Sequence, residues 1–256
     1  MIKSRFVRSV LSLSVLAVAF QAQAGTTSYL FNGNLNAEEL GMPSLTAVDP
    51  SAANSYGTAF LYGGNRTTYH TAGAAGIGNN AGVDLDASTF LPTGLDYTLE
   101  MVVSIDTVAG GWRKLADMSG LSSDAGLYAS NQSFLQLYPS GTGTTTMNAG
   151  ETYYIALTVN SNGEAKGYLN GNLEFTGNSA NATGNMFSFF QDEAGTGSNE
   201  YSNVTVGLLR LNDRVLSASE IGGLAVNPYA QPVPEPASMA ALGLGAAALL
   251  RRRSKR

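Results

Sequence analysis

The chain has 256 residues, of which only 13% are charged, with 30 glycines, one histidine and no cysteine. This length suffices for one domain with a sizeable hydrophobic core, and the lack of cysteine excludes disulfides, thiolate metal sites and cysteine nucleophiles. Between Gly25 and Gln231, eighteen acidic residues outnumber six basic ones, and this net charge of −12 excludes nucleic acid as an expected partner.

The N-terminus has the features of a secretory signal peptide. Basic residues precede an apolar run from Val10 to Phe20, and Ala22-Gln23-Ala24 then provides the small residues of a cleavage site before Gly25. The apolar run has about half of the ~20 residues that a membrane-spanning helix needs. We therefore predict that residues 1–24 form a signal peptide, with Ala22 and Ala24 at its cleavage site, and that the protein is exported.

Residues 25–226 have the pattern of a single all-β domain. Alternating apolar and polar residues, or runs of β-branched and aromatic ones, predict short strands. The predicted strands are 28–31, 57–62, 96–105, 115–118, 126–129, 134–138, 152–159, 165–169, 173–175, 187–190 and 204–211. Many short antiparallel strands joined by turn-rich segments favour a two-sheet sandwich or jelly roll.

Two Asn-Gly pairs and one capping motif refine this prediction. Asn-Gly favours a type I′ turn, which needs positive φ at both central residues, so Asn162-Gly163 and Asn170-Gly171 predict a three-stranded antiparallel meander. Ser217 and Glu220 have the spacing of a capping box. We expect one short helix to begin there and to end at Gly222-Gly223.

The C-terminus has three successive parts. A proline-rich linker, residues 227–238, contains Pro234-Glu235-Pro236, an apolar stretch follows from Met239, and five of the last six residues are basic. The twelve apolar residues would span about 18 Å as a helix, short of the ~30 Å hydrocarbon core. We therefore predict a transient inner-membrane association of residues 239–256, with the basic residues kept in the cytoplasm.

This tail resembles the PEP-CTERM sorting signal of Gram-negative bacteria, with Pro234, Glu235 and Pro236 as the sorting motif. In that family the intramembrane transpeptidase exosortase recognises the tail and removes its membrane part. The resemblance implies exosortase as the processing partner. It also implies a secreted or surface-attached location in the envelope of a Gram-negative bacterium. The alternative is a plain single-helix tail anchor.

The middle of the chain resembles laminin-G-like, concanavalin A-like domains. The segments that carry the resemblance occur in family order, and they are residues 29–35, 97–100, 152–159, 167–171, 207–211 and 215–221. The resemblance implies a jelly roll of two large antiparallel sheets, one of them concave. It is all-β except for the one short C-terminal helix, with the signal peptide and the hydrophobic sorting helix at the two ends of the chain.

Some glycoside hydrolases share this fold and carry Glu, Asp and Glu at alternate positions of one strand, so that all three face the same way. Such a run does not occur here: Asp84-Leu85-Asp86 lacks the third acid, and Glu100 stands alone on its predicted strand. His70 lies in a loop-like stretch, and no Gly-X-Ser-X-Gly elbow accompanies it. We therefore expect no catalytic residues and a protein that is not an enzyme.

Calcium is the cofactor that the resemblance implies, because laminin-G-like domains often bind it through loop oxygens. Ca²⁺ takes six to eight hard oxygen ligands, which acidic loops supply. The candidate ligands are Asp192, Glu193, Asn199 and Glu200 in one segment, and Asp117 with Asp124 in another. The alternative is that these side chains are solvated or pair with Arg113 and Lys114.

Trp112 is the only tryptophan and the candidate platform for a sugar ring, although core packing is the default role of aromatic residues. The sequence therefore predicts a non-catalytic adhesion or exopolysaccharide-binding module, with a polysaccharide or surface glycan as its partner. Two alternatives stay open: a secreted glycoside hydrolase or lyase with an unrecognised active site, and a passive structural component of the cell surface.

Overall fold

The computed structural model describes residues 25–76, 78–193 and 199–231. The predicted cleavage residues Ala22 and Ala24 lie outside the described residues, as do the sorting motif Pro234-Glu235-Pro236 and the sorting helix. In the part of the chain that is described, no helix combines the length and apolar character needed to cross a membrane.

The described residues form fifteen β-strands, one 3₁₀ turn (Ser179–Asn181) and one α-helix, α1 (Ala218–Leu224). The strands, in chain order, are β1 (Thr26–Tyr29), β2 (Thr46–Val48), β3 (Ser55–Leu61), β4 (Gly64–His70), β5 (Gly82–Asp86), β6 (Tyr97–Ile105), β7 (Arg113–Asp117), β8 (Gly126–Ala129), β9 (Phe134–Tyr138), β10 (Gly141–Thr146), β11 (Thr152–Val159), β12 (Glu164–Leu169), β13 (Asn172–Asn178), β14 (Met186–Phe189) and β15 (Val204–Asn212).

The strands pair into two antiparallel sheets. The eight-stranded sheet has the order β13-β12-β11-β6-β15-β4-β3, and β1 also pairs with β15. The seven-stranded sheet has the order β10-β9-β8-β7-β14-β5-β2. The predicted all-β, two-sheet jelly-roll sandwich with one short C-terminal helix is confirmed.

Strand alternation divides the apolar residues between two cores. Along β6, Leu99, Met101 and Val103 enter the large core between the sheets, whereas Val102 faces outward into a second cluster with Ile221 and other residues of the α1 region. The eight-stranded sheet is thus covered on both faces. The core residues of each cluster pack against one another, and a hydrophobic core of its own is the property of a domain that can fold alone, so residues 25–231 are the segment to test in isolation.

Glu100 is part of a buried polar network on the outer face of the eight-stranded sheet. Its carboxylate accepts hydrogen bonds from the Tyr154 hydroxyl at 2.7 Å, from Asn212 Nδ2 at 2.8 Å and from Arg210 Nη1 at 3.4 Å. The side chain is fully buried. Because buried charges need such partners, Glu100 has a structural role.

The prediction that His70 lies in a loop was wrong. His70 is the last residue of β4, where it pairs with Ser55 of β3 and Thr205 of β15, and its Nε2 lies 3.1 Å from Asp106 Oδ2. The strand β4 has few apolar residues, so it has no clear alternation to recognise. Its structure comes from pairing with its neighbours. The short strands β2 and β10 were missed for the same reason, whereas β5 was missed although Val83 and Leu85 alternate with Asp84 and Asp86.

The meander of β11, β12 and β13 is confirmed, but one of its predicted turn types is wrong. Asn170 and Gly171 have φ values of 50° and 84°, as a type I′ turn requires. At the other turn only Gly163 has positive φ, at 90°, and Asn162 does not. There the Asn160 side chain accepts hydrogen bonds from the N–H groups of Asn162 and Glu164, both at 3.0 Å, and shapes a different loop.

The capping box is confirmed. Glu220 N donates to Ser217 Oγ at 3.3 Å, and Ser217 N donates to Glu220 Oε2 at 2.8 Å. The predicted end is wrong, because α1 continues through the two glycines to Leu224. Ile221 and Leu224 are buried against the eight-stranded sheet, and this packing outweighs the low helix propensity of glycine.

Replacing Asn170 with alanine is expected to lower the free energy of unfolding by about 1–2 kcal/mol. Alanine disfavours positive φ and has no oxygen to accept the Tyr154 N–H, which donates to Asn170 Oδ1 at 3.0 Å. Urea denaturation of residues 25–231 measures the change. The matched control is Asn162→Ala, also in an Asn-Gly pair, which should change stability by less than about 0.5 kcal/mol. Equal effects of the two substitutions would contradict this account.

Candidate functional site

The candidate site lies on the outer face of the seven-stranded sheet, where β7, β8 and β9 run side by side. Alternation sends Leu127 and Leu137 into the core between the sheets, so Tyr128 and Tyr138 face outward. Lys114 of β7 is the cross-strand partner of Tyr128, and its ammonium group lies 5.3 Å from the centre of the Tyr128 ring.

Three aromatic side chains meet at this face. Trp112 lies edge-on to Tyr128 and Tyr138, with ring centres 5.4 and 5.6 Å apart, and the two tyrosine rings are 6.5 Å apart. Tyr128 is buried, Trp112 is half-buried and Tyr138 is 37% exposed. Trp112 therefore packs against its neighbours and also keeps part of its ring at the surface.

A buried ion cluster lies next to the aromatic residues. Lys114 Nζ is 2.7 Å from Glu193 Oε2 and 3.9 Å from carboxylate oxygens of both Asp117 and Asp192. All four side chains are at most 2% exposed. Asp192 Oδ2 also accepts the Glu200 N–H at 3.0 Å, and Lys114 N donates to Glu200 O at 2.6 Å. These contacts hold Asp192, Glu193 and Glu200, the acidic residues that follow β14, against β7.

The acidic segment brings Glu193 and Glu200 close to Asp124 of the β7–β8 loop. Carboxylate oxygens of the three residues lie within 4.8 Å of one another. A hydrogen bond with Glu193 raises the pKa of Asp124, and partial burial and the Glu193 charge raise it further. Burial raises the pKa of Glu200, followed by the negative charge of Asp192. Protons are therefore held more tightly here than on ordinary surface carboxyl groups.

A small pocket of about 130 Å³ opens between the aromatic residues and the carboxylates. Its lining residues are Trp112, Asp124, Tyr128, Tyr138 and Glu200. Burial raises the pKa of the Tyr128 hydroxyl, with Glu200 as the next cause, so this group stays protonated as a hydrogen-bond donor. It donates to Asp124 O at 2.8 Å. The pocket thus combines apolar ring surface with acceptor oxygens.

The structure brings together most of the site residues predicted from sequence. The two predicted acidic segments and Trp112 lie close together. The contact that joins this part of the chain to the later segment is between Lys114 and Glu193, which are 79 positions apart. Asp117 and Asp192 face Lys114, and Asp117 Oδ1 also accepts the N–H groups of Ser119 and Leu121 at 2.8 and 2.9 Å. These two carboxylates are engaged within the protein.

Asn199 is not part of the group: its side-chain oxygen accepts the Gly76 N–H at 3.2 Å on the surface. Asp124, Glu193 and Glu200 are the residues that could hold a divalent cation. Lys114 already supplies a positive charge to Glu193, as the alternative hypothesis of ion pairing expected. Calcium ligation by the six predicted residues stays a prediction.

Lys114, Tyr128 and Tyr138 were missed as site residues. The two tyrosines alternate with core leucines in strands that were predicted, so their outward orientation could have been recognised. Lys114 gave no such signal, because its burial depends on a segment that follows much later in the chain.

Two family models match the sequence. The model described as the concanavalin A-like lectin/glucanases superfamily matches residues 77–222, more than half of the chain. This chain belongs to that superfamily. The model of the PEP-CTERM protein-sorting motif matches residues 232–255, so the protein is exported and sorted to the cell envelope. Among curated proteins, no sequence matches.

Several solved structures have a similar fold. Domain 4 of AbnA, a GH43 extracellular arabinanase from Geobacillus stearothermophilus, in complex with arabinotriose, is 17% identical with a TM-score of 0.52, covering 79% of this chain and 98% of that domain. A chain of botulinum neurotoxin type C, which interacts with two ganglioside molecules, is 11% identical with a TM-score of 0.56, over 79% of this chain and 50% of its own.

The sialidase of Trypanosoma rangeli, in complex with a difluorinated KDN, is 19% identical with a TM-score of 0.47, over 64% of this chain. The present chain spans only 30% of the length of that sialidase chain. At these identities the similarities concern the fold alone.

Replacing Lys114 with methionine is expected to destabilise residues 25–231 by about 3–5 kcal/mol at pH 7, because buried carboxylates lose their cation. A hydrogen bond with Glu193 raises the pKa of Asp124 and burial raises that of Glu200, so these two neighbours lose their charge as the pH falls and the loss of stability should shrink. Denaturant midpoints at pH 7 and pH 4 test both statements.

The control for this substitution is Lys166→Met. Lys166 pairs with Glu164 at 2.6 Å, but both side chains are more than a third exposed, so the expected loss is below about 1 kcal/mol. Similar losses for the two variants would show that the Lys114 cluster has no special weight.

Proposed function

We propose that this exported envelope protein is a non-catalytic carbohydrate-binding module that holds a polysaccharide or surface glycan at the pocket beside Trp112. The observation that carries the proposal is the meeting of partly exposed aromatic rings with carboxylates on the open face of the seven-stranded sheet. Aromatic faces stack on the apolar faces of sugar rings, and carboxylate oxygens accept hydrogen bonds from sugar hydroxyls.

The charge of the site favours a neutral or amine-bearing sugar chain. Five carboxylates gather around the single ammonium group of Lys114: Asp117, Asp124, Asp192, Glu193 and Glu200. An anionic polymer would meet this excess of negative charge, and the acidic body would repel it as well. The arabinotriose complex of AbnA domain 4 is an example of a protein of this fold with an oligosaccharide.

The proposal does not require calcium. Three carboxylates converge, but Lys114 Nζ lies 2.7 Å from one of them, and the raised pKa of Asp124 reflects a hydrogen bond with Glu193. A calcium ion would compete with that ammonium group and with that hydrogen bond. Removing calcium during a binding experiment therefore separates metal-assisted binding from direct binding.

Hydrolysis of a glycosidic bond is the second candidate function. The raised pKa values of Asp124 and Glu200 favour it, because the general acid of a glycosidase is a carboxyl group whose pKa is raised by its surroundings. Their carboxylates also lie within 4.8 Å of each other and line the same pocket.

Processing by exosortase completes the proposal. The sorting motif implies this processing, and removal of the membrane part would leave the domain secreted or attached to the surface of a Gram-negative cell. In that setting the partner within reach is the exopolysaccharide or a surface glycan.

Replacing Trp112 with alanine is expected to weaken the binding of oligosaccharides from the host's own exopolysaccharide by roughly 10- to 100-fold, the effect of losing a central aromatic contact. Calorimetric titration of residues 25–231 measures it, once with millimolar calcium and once with a chelator. Leu173→Ala is the matched control, because Leu173 is an exposed apolar residue on β13 of the other sheet and should not affect the affinity.

Each outcome of this titration has a distinct meaning. Binding both with calcium and with chelator supports direct recognition of the sugar. Binding heat that disappears with chelator assigns calcium to the site. Release of reducing ends that is lost in Glu200→Gln would assign hydrolysis instead. No heat of binding, either with calcium or with chelator, would favour a passive structural component of the surface.

Replacing Pro234, Glu235 and Pro236 with alanines in the full chain is expected to leave the tail uncut and the protein in the membrane fraction of its host. Immunoblots of membrane and medium, with the unaltered protein beside it, detect the retained tail by its larger size. Release at the normal size would contradict sorting through this motif. A tail that stays uncut in the membrane in the unaltered protein as well would favour a plain tail anchor.

A further inference from the structure

The strand β3 is an edge of the eight-stranded sheet with none of the usual protection against pairing. It pairs with β4 on one side and ends the sheet on the other. Its seven residues, Ser55–Leu61, include no charged residue and no proline, and five of them are exposed. Natural edge strands are normally shielded by charges, prolines, bulges or a covering segment.

The backbone of β3 offers hydrogen-bonding groups at alternate residues. The β3–β4 hairpin turns at Tyr62 and Gly63, whose φ values of 50° and 78° fit a type I′ turn closed by Leu61 and Gly64. The N–H and C=O groups of Leu61 and every second residue before it therefore point to β4. Those of Tyr56, Thr58 and Phe60 point to the free edge.

The same three residues share one face of the sheet. Tyr56 lies 5.0 Å from Tyr69, on the side of the core between the sheets, whereas Leu61 belongs to the cluster on the outer side. The Tyr56 and Phe60 side chains are nevertheless 44% and 70% exposed. Exposed aromatic residues on the core-facing side of an open edge have the composition of an interface.

We infer that β3 pairs in antiparallel register with β3 of a second copy, about a twofold axis at Thr58. In this register Thr58 faces Thr58 of the second copy, and Tyr56 of each copy faces Phe60 of the other. All three pairs fall on outward-pointing backbone groups and make up to six hydrogen bonds. The aromatic pairs are direct cross-strand neighbours, a favourable arrangement in antiparallel sheets. The two eight-stranded sheets become one continuous sheet.

The charge distribution favours this edge over the rest of the surface as the contact between two copies. The body carries a net charge of −12, so two copies repel each other over most of their surface. The β3–β4 hairpin contains no acidic residue, and its one permanent charge is the positive Arg66. Here two acidic bodies can approach without bringing carboxylates into contact.

The buried area indicates an association that depends on concentration. If a fully exposed aromatic side chain presents roughly 200 Å², Tyr56 and Phe60 contribute about 230 Å² per copy. Stable interfaces bury about 1,200–2,000 Å² in total. The dimer is therefore a weak one that forms at the high local concentration of a crowded surface, where it doubles the number of binding sites.

Cysteine cross-linking tests the register, because the chain contains no cysteine of its own. The single variant Thr58→Cys of residues 25–231 should form a disulfide-linked dimer under mild oxidation, since directly opposite Cα atoms lie about 5.5 Å apart in a hydrogen-bonded pair. In Ser55→Cys the two thiols would be about 20 Å apart along the strands and should not join. Thr176→Cys, exposed on the opposite edge strand β13, controls for random collision.

Sedimentation velocity over a concentration series tests the association without cross-links. The average mass should rise towards that of a dimer for the unaltered segment and for Leu173→Lys, which places a charge on β13. Phe60→Lys should stay monomeric with an unchanged denaturation midpoint. A segment that is monomeric throughout would overturn the proposal. So would a Thr58→Cys variant that cross-links no faster than the other two cysteine variants.

Discussion

The arrangement of the candidate site depends on one buried ammonium group. Lys114 Nζ lies among the carboxylates of Asp117, Asp192 and Glu193, and it is the cation closest to these buried acids. Buried carboxylates without a cation cost several kcal/mol each. Because this one cation lies on β7, the acidic segment after β14 is stabilised next to the aromatic residues of β8 and β9. The pocket beside Trp112 therefore results from an electrostatic constraint.

The two sheets differ in whether their buried acidic and basic groups balance. On the eight-stranded sheet, Arg210 and Glu100 balance each other, and neutral groups of Tyr154 and Asn212 complete the hydrogen bonds. The α1 region then covers that face. On the seven-stranded sheet the acids outnumber the base, and the excess charge stays near the surface at Asp124 and Glu200. The balanced face is structural, whereas the unbalanced face carries the candidate site.

The fold was largely predictable because its strongest signals are local. The alternation in Thr152–Val159 and in Tyr97–Ile105 reports burial directly, and Asn170-Gly171 specifies a turn by its backbone conformation. Strands such as β4 were missed because pairing with neighbours, rather than their own sequence, holds them in place. At the capping box the sequence pattern identified the start of α1, but packing of Leu224 decided its end.

The site was predictable only in its parts. The acidic residues and Trp112 could be named from the sequence, but their meeting depends on strand order and on a contact between residues 79 positions apart. The separate position of Asn199 has the same origin, since its partner Gly76 belongs to another loop. Local patterns identify which residues can take part in binding, and the topology decides which of them do.

Gln231, the last described residue before the sorting motif, lies against the eight-stranded sheet. Gln231 Nε2 donates to Glu39 Oε1 at 3.4 Å, and Glu39 in turn accepts the Ser28 N–H of β1 in the eight-stranded sheet. Tyr229 packs on the outer cluster of that same sheet. The described part of the chain therefore ends on the side of the sandwich opposite to the pocket, and the full thickness of the two sheets separates its last residue from the pocket.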